Sequence, residues 1–432
     1  MYLQMESSIF LVLLFVSVHG KKGFGPTDQD WGFVTVRENA HIFWWLHYTR
    51  ADVAEVTDRP LIIWLEGGPG ASSAGNGNFA EIGPLDTNLQ PRNSSWDHYV
   101  NVLFVDSPVG TGFSYVDDKS ALTTNNTQIA RDFLVFLKAF FHDKFEFQSV
   151  PLYIFSESYG GKMGSEIALL ISEEKKRGYI DCDLEGIGLG DSWISPVDSV
   201  MTYAPYLLSM GIIDQTGYKK ISKIANLVKV AVESGRFEDA FGLWRGVEYE
   251  IKSNTYGVDI YNVLNKKTGI GVQKVPSYPG QTNVDPEAET KVNQIMNGVV
   301  KEALNIHRDF GTQNDDVWNA LTWDFMTPVT SIVEQLLNTT DLSIAVFSGQ
   351  LDLIIDTPGT LQWVENLKWN GKNIWDAAPR TGFIEDGCYE GYVKKAKKFA
   401  FYWVERAGHM VAADNPAAMY HILRDLTNNF KV

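Results

Sequence analysis

The sequence predicts an α/β fold with a mostly parallel central sheet, helices on both faces, and an inserted, largely helical cap. Three observations predict it. Short, almost wholly apolar runs end in turn residues, which is typical of strands buried on both faces. Segments with apolar residues at three- and four-residue spacing lie between these runs. Between residues 195 and 335 the alternation gives way to helical segments, so we place the cap there.

Six apolar runs are the predicted strands. Each is four to six residues long and is followed within a few positions by Gly, Ser, Asp or Pro, which end regular structure. These strands are residues 60–65, 101–105, 152–155, 184–189, 343–347 and 399–404.

Helices are predicted between the strands. Thr127 is the predicted N-cap of a helix whose apolar positions follow three-four spacing. A second helix follows Ser158 directly. The last has Asn415 as N-cap and Pro416 in its first turn. In the cap, helical segments at 217–234 and 288–305 surround a Gly/Pro-rich stretch, 266–283, that we expect to be a mobile loop open to proteolytic nicking.

The N-terminus indicates the secretory route. Residues 9–18 are an apolar run too short to span a bilayer, and small residues follow it, so residues 1–20 are predicted to be a signal peptide. A buried strand or helix is the alternative. The sequons at Asn93, Asn125 and Asn338 are predicted glycosylation sites. The remaining organisation is core at 21–194, cap at 195–335, and core again at 336–432.

Composition excludes several classes of protein. The 432 residues contain 37 Lys and Arg against 53 Asp and Glu, a formal net charge of −16, which excludes a nucleic-acid binder. No later run of 18 apolar residues predicts a membrane span. CxxC and HExxH patterns are missing, so we predict no metal and no cofactor. Cys182 and Cys388 could pair or remain two buried thiols.

Ser158 is the candidate nucleophile. Ser156-Glu157-Ser158-Tyr159-Gly160 follows a predicted strand and opens a predicted helix. A sharp strand-to-helix turn lifts the central side chain above the sheet edge and directs the helix N-terminus at the reacting atom. Small residues are needed two positions before and after it; Gly160 fits, and Ser156 replaces the usual Gly. The alternative is a Ser that caps a helix after a strand.

A base and an acid are expected downstream in chain order. His409 and Asp352 each follow a predicted strand, and the carboxyl ends of parallel strands meet at one edge of a sheet. The His would accept the Ser proton and the Asp would fix the His tautomer. Asp356 is the competing acid, with a helix cap near Pro358 as its alternative role.

The loop at residues 66–70, EGGPG, also follows a predicted strand. Its glycines let backbone N–H groups approach a substrate oxygen closely, so the N–H groups of Gly68 and Tyr159 are the predicted oxyanion hole. A tight turn without a ligand is the alternative.

Six strings occur in an order that resembles the serine carboxypeptidase family, and within it the retinoid-inducible branch. They are WLEGGPGASS, EIGPLD, DSPVGTGFSY, SESYGGK, SGQLDLIIDTPG and RAGHMVAADNP. The resemblance covers residues 60–425. It implies an α/β-hydrolase fold with an inserted cap, a secreted or lysosomal location, and removal of C-terminal residues from peptides in acid.

By the same resemblance, Ser158 is the nucleophile, Asp352 the acid and His409 the base, and Gly68 and Tyr159 form the oxyanion hole. The partner is a peptide with a free C-terminus. A homodimer is left open.

The resemblance also assigns recognition of the substrate α-carboxylate to Glu66, Gly67, Glu81 and Glu157. A carboxyl group binds an ionised carboxylate only when it is protonated, and clustered acids raise one another's pKa, which explains a preference for acid. The family commonly has Asn where this chain has Glu66. Our hypothesis is that Glu66 makes recognition steeper in pH; a solvated Glu66 that points away is the alternative.

This sequence also differs from the family at another position, and the resemblance leaves alternative functions open. Ala71 stands where many relatives have Cys, so the family's disulfides are not expected here. An acyltransferase using the same site and a non-catalytic protein with the same fold are the competing functions. The pocket before the scissile bond is expected to be apolar, near Tyr115 and Trp193, although both could be core aromatics.

Overall fold

The structure is a computed structural model that describes residues 20–265, 286–311 and 314–432. The predicted signal peptide, apart from Gly20, and the predicted loop at 266–283 lie outside these residues. In the described part of the chain, no helix is both long enough and apolar enough to cross a membrane.

The strands include all six that the sequence predicts, and the predicted bounds agree to within two residues. The strands are β1 (Lys21–Lys22), β2 (Asp28–Arg37), β3 (Ala40–His47), β4 (Leu61–Leu65), β5 (Asn101–Val105), β6 (Tyr115–Val116), β7 (Pro151–Glu157), β8 (Asp183–Gly190), β9 (Ser343–Gly349), β10 (Thr381–Glu385), β11 (Cys388–Ala396) and β12 (Phe399–Val404).

The longer helices lie between the core strands and in the insertion between β8 and β9. The α-helices are α1 (Asn126–Asp143), α2 (Tyr159–Lys176), α3 (Pro196–Ser209), α4 (Gln215–Glu233), α5 (Phe237–Thr255), α6 (Pro286–Ile295), α7 (Lys301–Ala303), α8 (Asp315–Ala320), α9 (Thr322–Phe325), α10 (Thr330–Thr339), α11 (Thr357–Asn366), α12 (Lys372–Ala377), α13 (Val411–Asp414) and α14 (Pro416–Leu426). Two π-helical segments, Ser73–Ile82 and Met296–Val300, accompany them.

One sheet joins the described strands in the order β1-β2-β3-β5-β4-β7-β8-β9-β12-β11-β10, with β6 paired to β3. The six central strands, β5, β4, β7, β8, β9 and β12 in sheet order, pair in parallel. The strands β1–β3 on one side and β10–β11 on the other are joined to the sheet by antiparallel pairs. The carboxyl ends of β4, β7, β8, β9 and β12 therefore lie along one edge, where ligands collect in such folds.

The sheet separates two apolar cores. In β4, Leu61, Ile63 and Leu65 face the core that contains α1 and α2, whereas Ile62 and Trp64 face the core that contains α14. Alternate residues of one strand thus enter opposite cores, which is why the strand reads as a continuous apolar run. This is the predicted fold class: a mostly parallel sheet covered on both faces, with a largely helical insertion.

Local details correct or confirm the predicted helix ends and thiols. Asn125, not Thr127, caps α1, because its side chain accepts a hydrogen bond from the N–H of Gln128. Asn415 caps α14 as predicted. Neither cysteine forms a disulfide; Cys182 is buried, but Cys388 is exposed because it begins β11 near an edge of the sheet.

Candidate active site

Ser158 forms a strained turn between β7 and α2. Its backbone has φ 60° and ψ −128°, a conformation that side-chain-bearing residues rarely adopt. The Ser158 N–H donates to the carbonyl oxygens of Gly190 and Asp191, both at 3.1 Å, and the Ser158 carbonyl accepts from Trp193 N–H at 2.9 Å. The end of β8 therefore holds the turn, and Ser158 is more exposed than either of its neighbours.

Two glycines allow the chain to pack closely around this turn. A Cβ at Gly160 would lie 2.5 Å from the carbonyl oxygen of Leu65, so α2 begins directly against the end of β4. A Cβ at Gly67 would lie 2.9 Å from Ser158 Oγ and 2.9 Å from Tyr159 N. Any side chain at 67 would fill the space above the hydroxyl, and Gly67 leaves that space for a substrate.

Asp352 and His409 meet across the ends of β9 and β12. Asp352 Oδ2 lies 2.8 Å from His409 Nδ1, and both side chains are buried. The N–H of Leu351 donates to the Ala407 carbonyl at 2.8 Å, which binds the two loops together. Asp352 Oδ1 also accepts the N–H of Ile354 at 2.9 Å. Burial raises the pKa of Asp352, and the charge of His409 opposes that rise.

Residues 66 and 67 lie near Ser158 and within the electrostatic influence of His409. Gly67 lies against Ser158, while the charge of His409 acts on the neighbouring Glu66 and opposes the rise of its pKa. In the part of the chain that the structure describes, Ser158 Oγ does not hydrogen-bond to His409. In hydrolases without bound substrate the distance between the serine hydroxyl and the histidine ring is often long, and it shortens when the substrate binds.

Asp356, the competing acid, has a different position. Its side chain caps α11 through the N–H of Gly359 at 3.0 Å and accepts from Thr202 Oγ1 at 2.6 Å. Burial raises its pKa well above the usual value. The cap interpretation of Asp356 is confirmed, and Asp352 is the acid in contact with His409.

The predicted oxyanion donors belong to two segments, the start of α2 for Tyr159 and the loop after β4 for Gly68. Tyr159 is the first residue of α2, and the first N–H groups of a helix have no acceptor within it. Gly68 has φ 97°, a left-handed conformation that suits glycine. The approach of Gly67 to Tyr159 N brings this loop to the N-terminus of α2, where the helix dipole favours negative charge.

Three buried acids form a cluster beside Ser158, which we call the carboxyl cluster: Glu66, Glu81 and Glu157. Their carboxyl oxygens lie within 4.8 Å of one another. Trp64 Nε1 donates to Glu66 Oε1 at 2.9 Å. Glu66 is therefore not a solvated residue that points away. Glu81 reaches the cluster from the π-helical segment Ser73–Ile82, and the N–H of Glu66 donates to Ser73 Oγ at 3.0 Å in the same segment.

Burial dominates the titration of the cluster. It raises the pKa of Glu66, and hydrogen bonds with Glu81 and Trp64 oppose the rise. Burial and then the charges of Glu157 and Glu66 raise the pKa of Glu81 well above its usual value. The pKa of Glu157 is likewise raised well above its usual value, by burial and then by the charge of Glu66. Three acids with raised pKa values in one buried cluster indicate that its members share protons.

Carboxyl oxygens at this spacing also suit the coordination of a hard cation such as Ca²⁺ or Mg²⁺. Such a cation needs ionised carboxylates, whereas burial of all three favours their protonated forms. Proton sharing is the chemistry that fits these three residues.

A second buried group was not predicted from the sequence. We call it the lysine network, and it consists of Lys162, Asp324, Tyr159 and Asn126. Lys162 Nζ donates to Asp324 Oδ2 at 2.8 Å, and Tyr159 Oη donates to the same oxygen at 2.7 Å. The N–H of Asn126 donates to Asp324 Oδ1 at 3.1 Å. The network joins α1, α2 and α9. Lys162 lies one helical turn after Ser158, which is the signal that could have identified it.

The two aromatic residues proposed for the specificity pocket, Trp193 and Tyr115, have different surroundings. Trp193 is buried, donates through Nε1 to the Phe325 carbonyl at 2.9 Å, and packs against Trp244 and Phe325, so it is a core aromatic. Tyr115 is partly exposed and stacks on His41, with the guanidinium of Arg308 over its ring.

The three sequon asparagines differ in their surroundings. Asn93 is exposed, and Asn125 uses its side-chain oxygen to cap α1. Asn338 Nδ2 donates to the Glu334 carbonyl at 2.8 Å and to the Lys368 carbonyl at 3.1 Å. A glycosylated amide keeps only one N–H, so a glycan at Asn338 would break one of these bonds.

A family model described as serine carboxypeptidase matches residues 21–429. The retinoid-inducible serine carboxypeptidase of Rattus norvegicus is 42% identical over 413 residues, which are 92% of this chain and 91% of that protein. Serine carboxypeptidase-like 51 of Arabidopsis thaliana is 34% identical, with 98% of each chain covered.

A solved structure is similar over the whole fold. It is Kex1(delta)p, a prohormone-processing carboxypeptidase from Saccharomyces cerevisiae. The TM-score is 0.79 at 25% identity, covering 93% of this chain and 92% of that one.

Proposed function

The chain belongs to the serine carboxypeptidase family and is a serine-type carboxypeptidase, and we propose that it releases C-terminal residues from peptides in mild acid through an acyl-enzyme on Ser158. The contact of 2.8 Å between His409 Nδ1 and Asp352 Oδ2, at the sheet edge where Ser158 also lies, carries the proposal. It leaves the other ring nitrogen of His409 as the acceptor for the Ser158 proton.

The first half-reaction forms the acyl-enzyme. Ser158 Oγ attacks the carbonyl carbon of the last peptide bond while His409 takes the hydroxyl proton. The resulting oxyanion accepts hydrogen bonds from the N–H groups of Gly68 and Tyr159. The C–N bond then breaks, and His409 gives the proton to the departing amine, which leaves as the free C-terminal amino acid. Asp352 fixes the tautomer of His409 and stabilises its charged form.

The second half-reaction restores Ser158. A water molecule gives one proton to His409 and attacks the acyl carbonyl carbon, and the bond from Ser158 Oγ to that carbon breaks as the proton returns to Ser158. Attack by an alcohol at this step would instead give an acyltransferase.

We also propose that the carboxyl cluster and the N–H of Gly67 bind the α-carboxylate of the substrate. The burial and clustering of Glu66, Glu81 and Glu157 support this role, because Glu157 adjoins Ser158 in the chain and the α-carboxylate lies only one residue beyond the scissile bond. Raised carboxyl pKa values keep protons available for donation to the substrate carboxylate in acid. As pH rises the cluster ionises and repels that carboxylate, so recognition weakens.

A secreted or lysosomal location agrees with this chemistry. Mild acid keeps the cluster protonated, and the predicted signal peptide at residues 1–20 and the predicted glycosylation of Asn93 and Asn125 indicate the same route. A secreted or lysosomal location, in mildly acidic surroundings, is therefore part of the proposal.

The proposal is tested by incubating the purified enzyme with an N-blocked dipeptide between pH 4 and 7 and measuring the free C-terminal amino acid. Ser158→Ala is expected to abolish release, whereas Ser172→Ala, a change on the same helix that removes only a bond to the Ala168 carbonyl, should keep it. A fluorophosphonate should label the wild type and not Ser158→Ala. Labelling without release would favour the acyltransferase, and undiminished release by Ser158→Ala would overturn the proposal.

A further inference from the structure

A short segment of the insertion lies across both loops that carry the proposed acid and base. We call residues 259–263 the strap. The Ile260 carbonyl accepts the N–H groups of Leu353 and Ile354, both at 3.0 Å, immediately after Asp352. The N–H of Val263 donates to the Leu351 carbonyl at 3.0 Å, immediately before it. The strap therefore brackets Asp352 on both sides.

The same segment holds His409. The N–H of His409 donates to the Tyr261 carbonyl at 2.7 Å. A Cβ at Gly408 would lie only 2.3 Å from that carbonyl oxygen, so the approach requires glycine at this position. The ring of Tyr261 packs against the ring of His409 with centroids 4.9 Å apart and an angle of 72° between the planes. Tyr261 thus contacts both the backbone and the imidazole of His409.

Side chains fix the strap in turn. Asp259 Oδ1 accepts the N–H of Tyr261 at 2.9 Å. Asp414 Oδ2 accepts from Asn262 Nδ2 at 3.0 Å and from the Gly408 N–H at 2.7 Å, so one carboxylate joins the strap to the His409 loop. These contacts hold Tyr261 from both ends.

We propose that Tyr261 is a positioning residue for His409: its ring and its carbonyl oxygen, presented by the strap, set the orientation of the imidazole toward Ser158. This inference rests on the proposed function. The Asp352 contact at Nδ1 holds one edge of the ring but allows rotation about that hydrogen bond, and the Tyr261 ring blocks such rotation by lying edge to face against it. Displacement of a catalytic group by about 1 Å can cost about 100-fold in rate.

The test compares Tyr261→Leu with Tyr261→Phe, and uses Tyr256→Leu as a matched control. Tyr256 is 95% exposed on the same insertion. Rates of dipeptide hydrolysis are divided by the amount of Ser158 that a fluorophosphonate labels at completion, so that unfolded protein does not count. We expect Tyr261→Leu to lower kcat about 10- to 100-fold with KM within about twofold. Tyr261→Phe, which keeps the ring, and Tyr256→Leu should stay within about twofold of wild type.

Three outcomes would overturn the inference. Tyr261→Leu could keep the wild-type kcat; it could change KM alone, which would make Tyr261 a substrate contact; or Tyr261→Phe could lose as much kcat as Tyr261→Leu. If Tyr261→Leu does not fold, Asn262→Ala removes the bond to Asp414 instead, and we expect kcat about 3- to 10-fold lower; an unchanged kcat would then overturn the inference. Release by Ser158→Ala would defeat the proposed function itself, and so the two failures are distinguishable.

Discussion

The carboxyl cluster and the lysine network each contain one chain neighbour of Ser158: Glu157 belongs to the first and Tyr159 to the second. Both are buried, and both contain acids. In the lysine network the ammonium of Lys162 neutralises Asp324. In the carboxyl cluster no cationic side chain of the described residues lies among the hydrogen-bonding partners of Glu66, and the acids depend on shared protons.

Buried acidic side chains therefore serve two different purposes in this protein. A buried acid that is paired with a lysine has a counter-charge within the fold, and loss of either partner leaves the other buried without one. Buried acids that share protons lose them as pH rises, and their protonated forms can donate hydrogen bonds to a substrate. The lysine network is therefore expected to respond to loss of a partner, and the carboxyl cluster is expected to respond to pH.

The largest effect is expected from Lys162→Met, which leaves Asp324 buried without its cation. Removing one partner of a buried ion pair destabilises a protein by about 3–5 kcal/mol. We expect the free energy of unfolding to fall by that amount at pH 7, measured by urea denaturation.

Lys175→Met on the same helix is the control, because Lys175 is exposed and lies 3.5 Å from Asp183. Its effect should stay below about 0.5 kcal/mol. A Lys162→Met enzyme as stable as the wild type would show that the network does not hold the helices together.

A smaller effect of opposite sign is expected from Glu81→Gln. The pKa of Glu81 is raised in the folded protein, so the stability of its protonated form is fully present below the unfolded pKa of about 4.5 and is lost as pH rises through the folded pKa. Gln does not ionise. Melting curves should show Glu81→Gln and wild type alike at pH 4, and Glu81→Gln more stable by about 1–3 kcal/mol at pH 8.

An exposed residue gives the matched control. Glu238→Gln, on the surface of α5, should change stability little at either pH. A stability difference for Glu81→Gln that does not grow with pH would mean that Glu81 takes no part in the proton sharing.

The sequence predicted the parallel centre of the sheet well and its margins poorly, for a physical reason. Strands buried on both faces are continuous apolar runs, as in β4 and β5, and such runs are visible without a structure. Strand β2 has one exposed face and a mixed pattern, and the edge strand β10 has only two buried residues. Local sequence does not distinguish strands of this kind from loops.

The candidate site divides in the same way. Ser158, Asp352 and His409 each follow an apolar strand, so their common edge could be predicted. Asp324 and Tyr261 belong to the insertion, and their contacts span 162 and 148 residues of sequence to Lys162 and His409. No local pattern marks such pairs, because only the docking of the insertion on the sheet brings them together.

The smallest expected effect comes from Glu66→Asn. This change replaces one titrating acid of the carboxyl cluster by an amide that donates hydrogen bonds at every pH. Activity should fall toward neutral pH as the cluster ionises, although His409 becomes a better base there, so the alkaline limb of kcat/KM reports the cluster. We expect Glu66→Asn to match the wild type within about twofold at pH 5 and to exceed it about 3- to 10-fold at pH 7.5, a shift of the limb by up to about one pH unit. Glu66→Gln, which keeps the length of the side chain, should shift it in the same direction. Identical pH profiles for all three proteins would show that Glu66 does not meet the substrate carboxylate, and that the titration of Glu81 and Glu157 alone sets the acid preference.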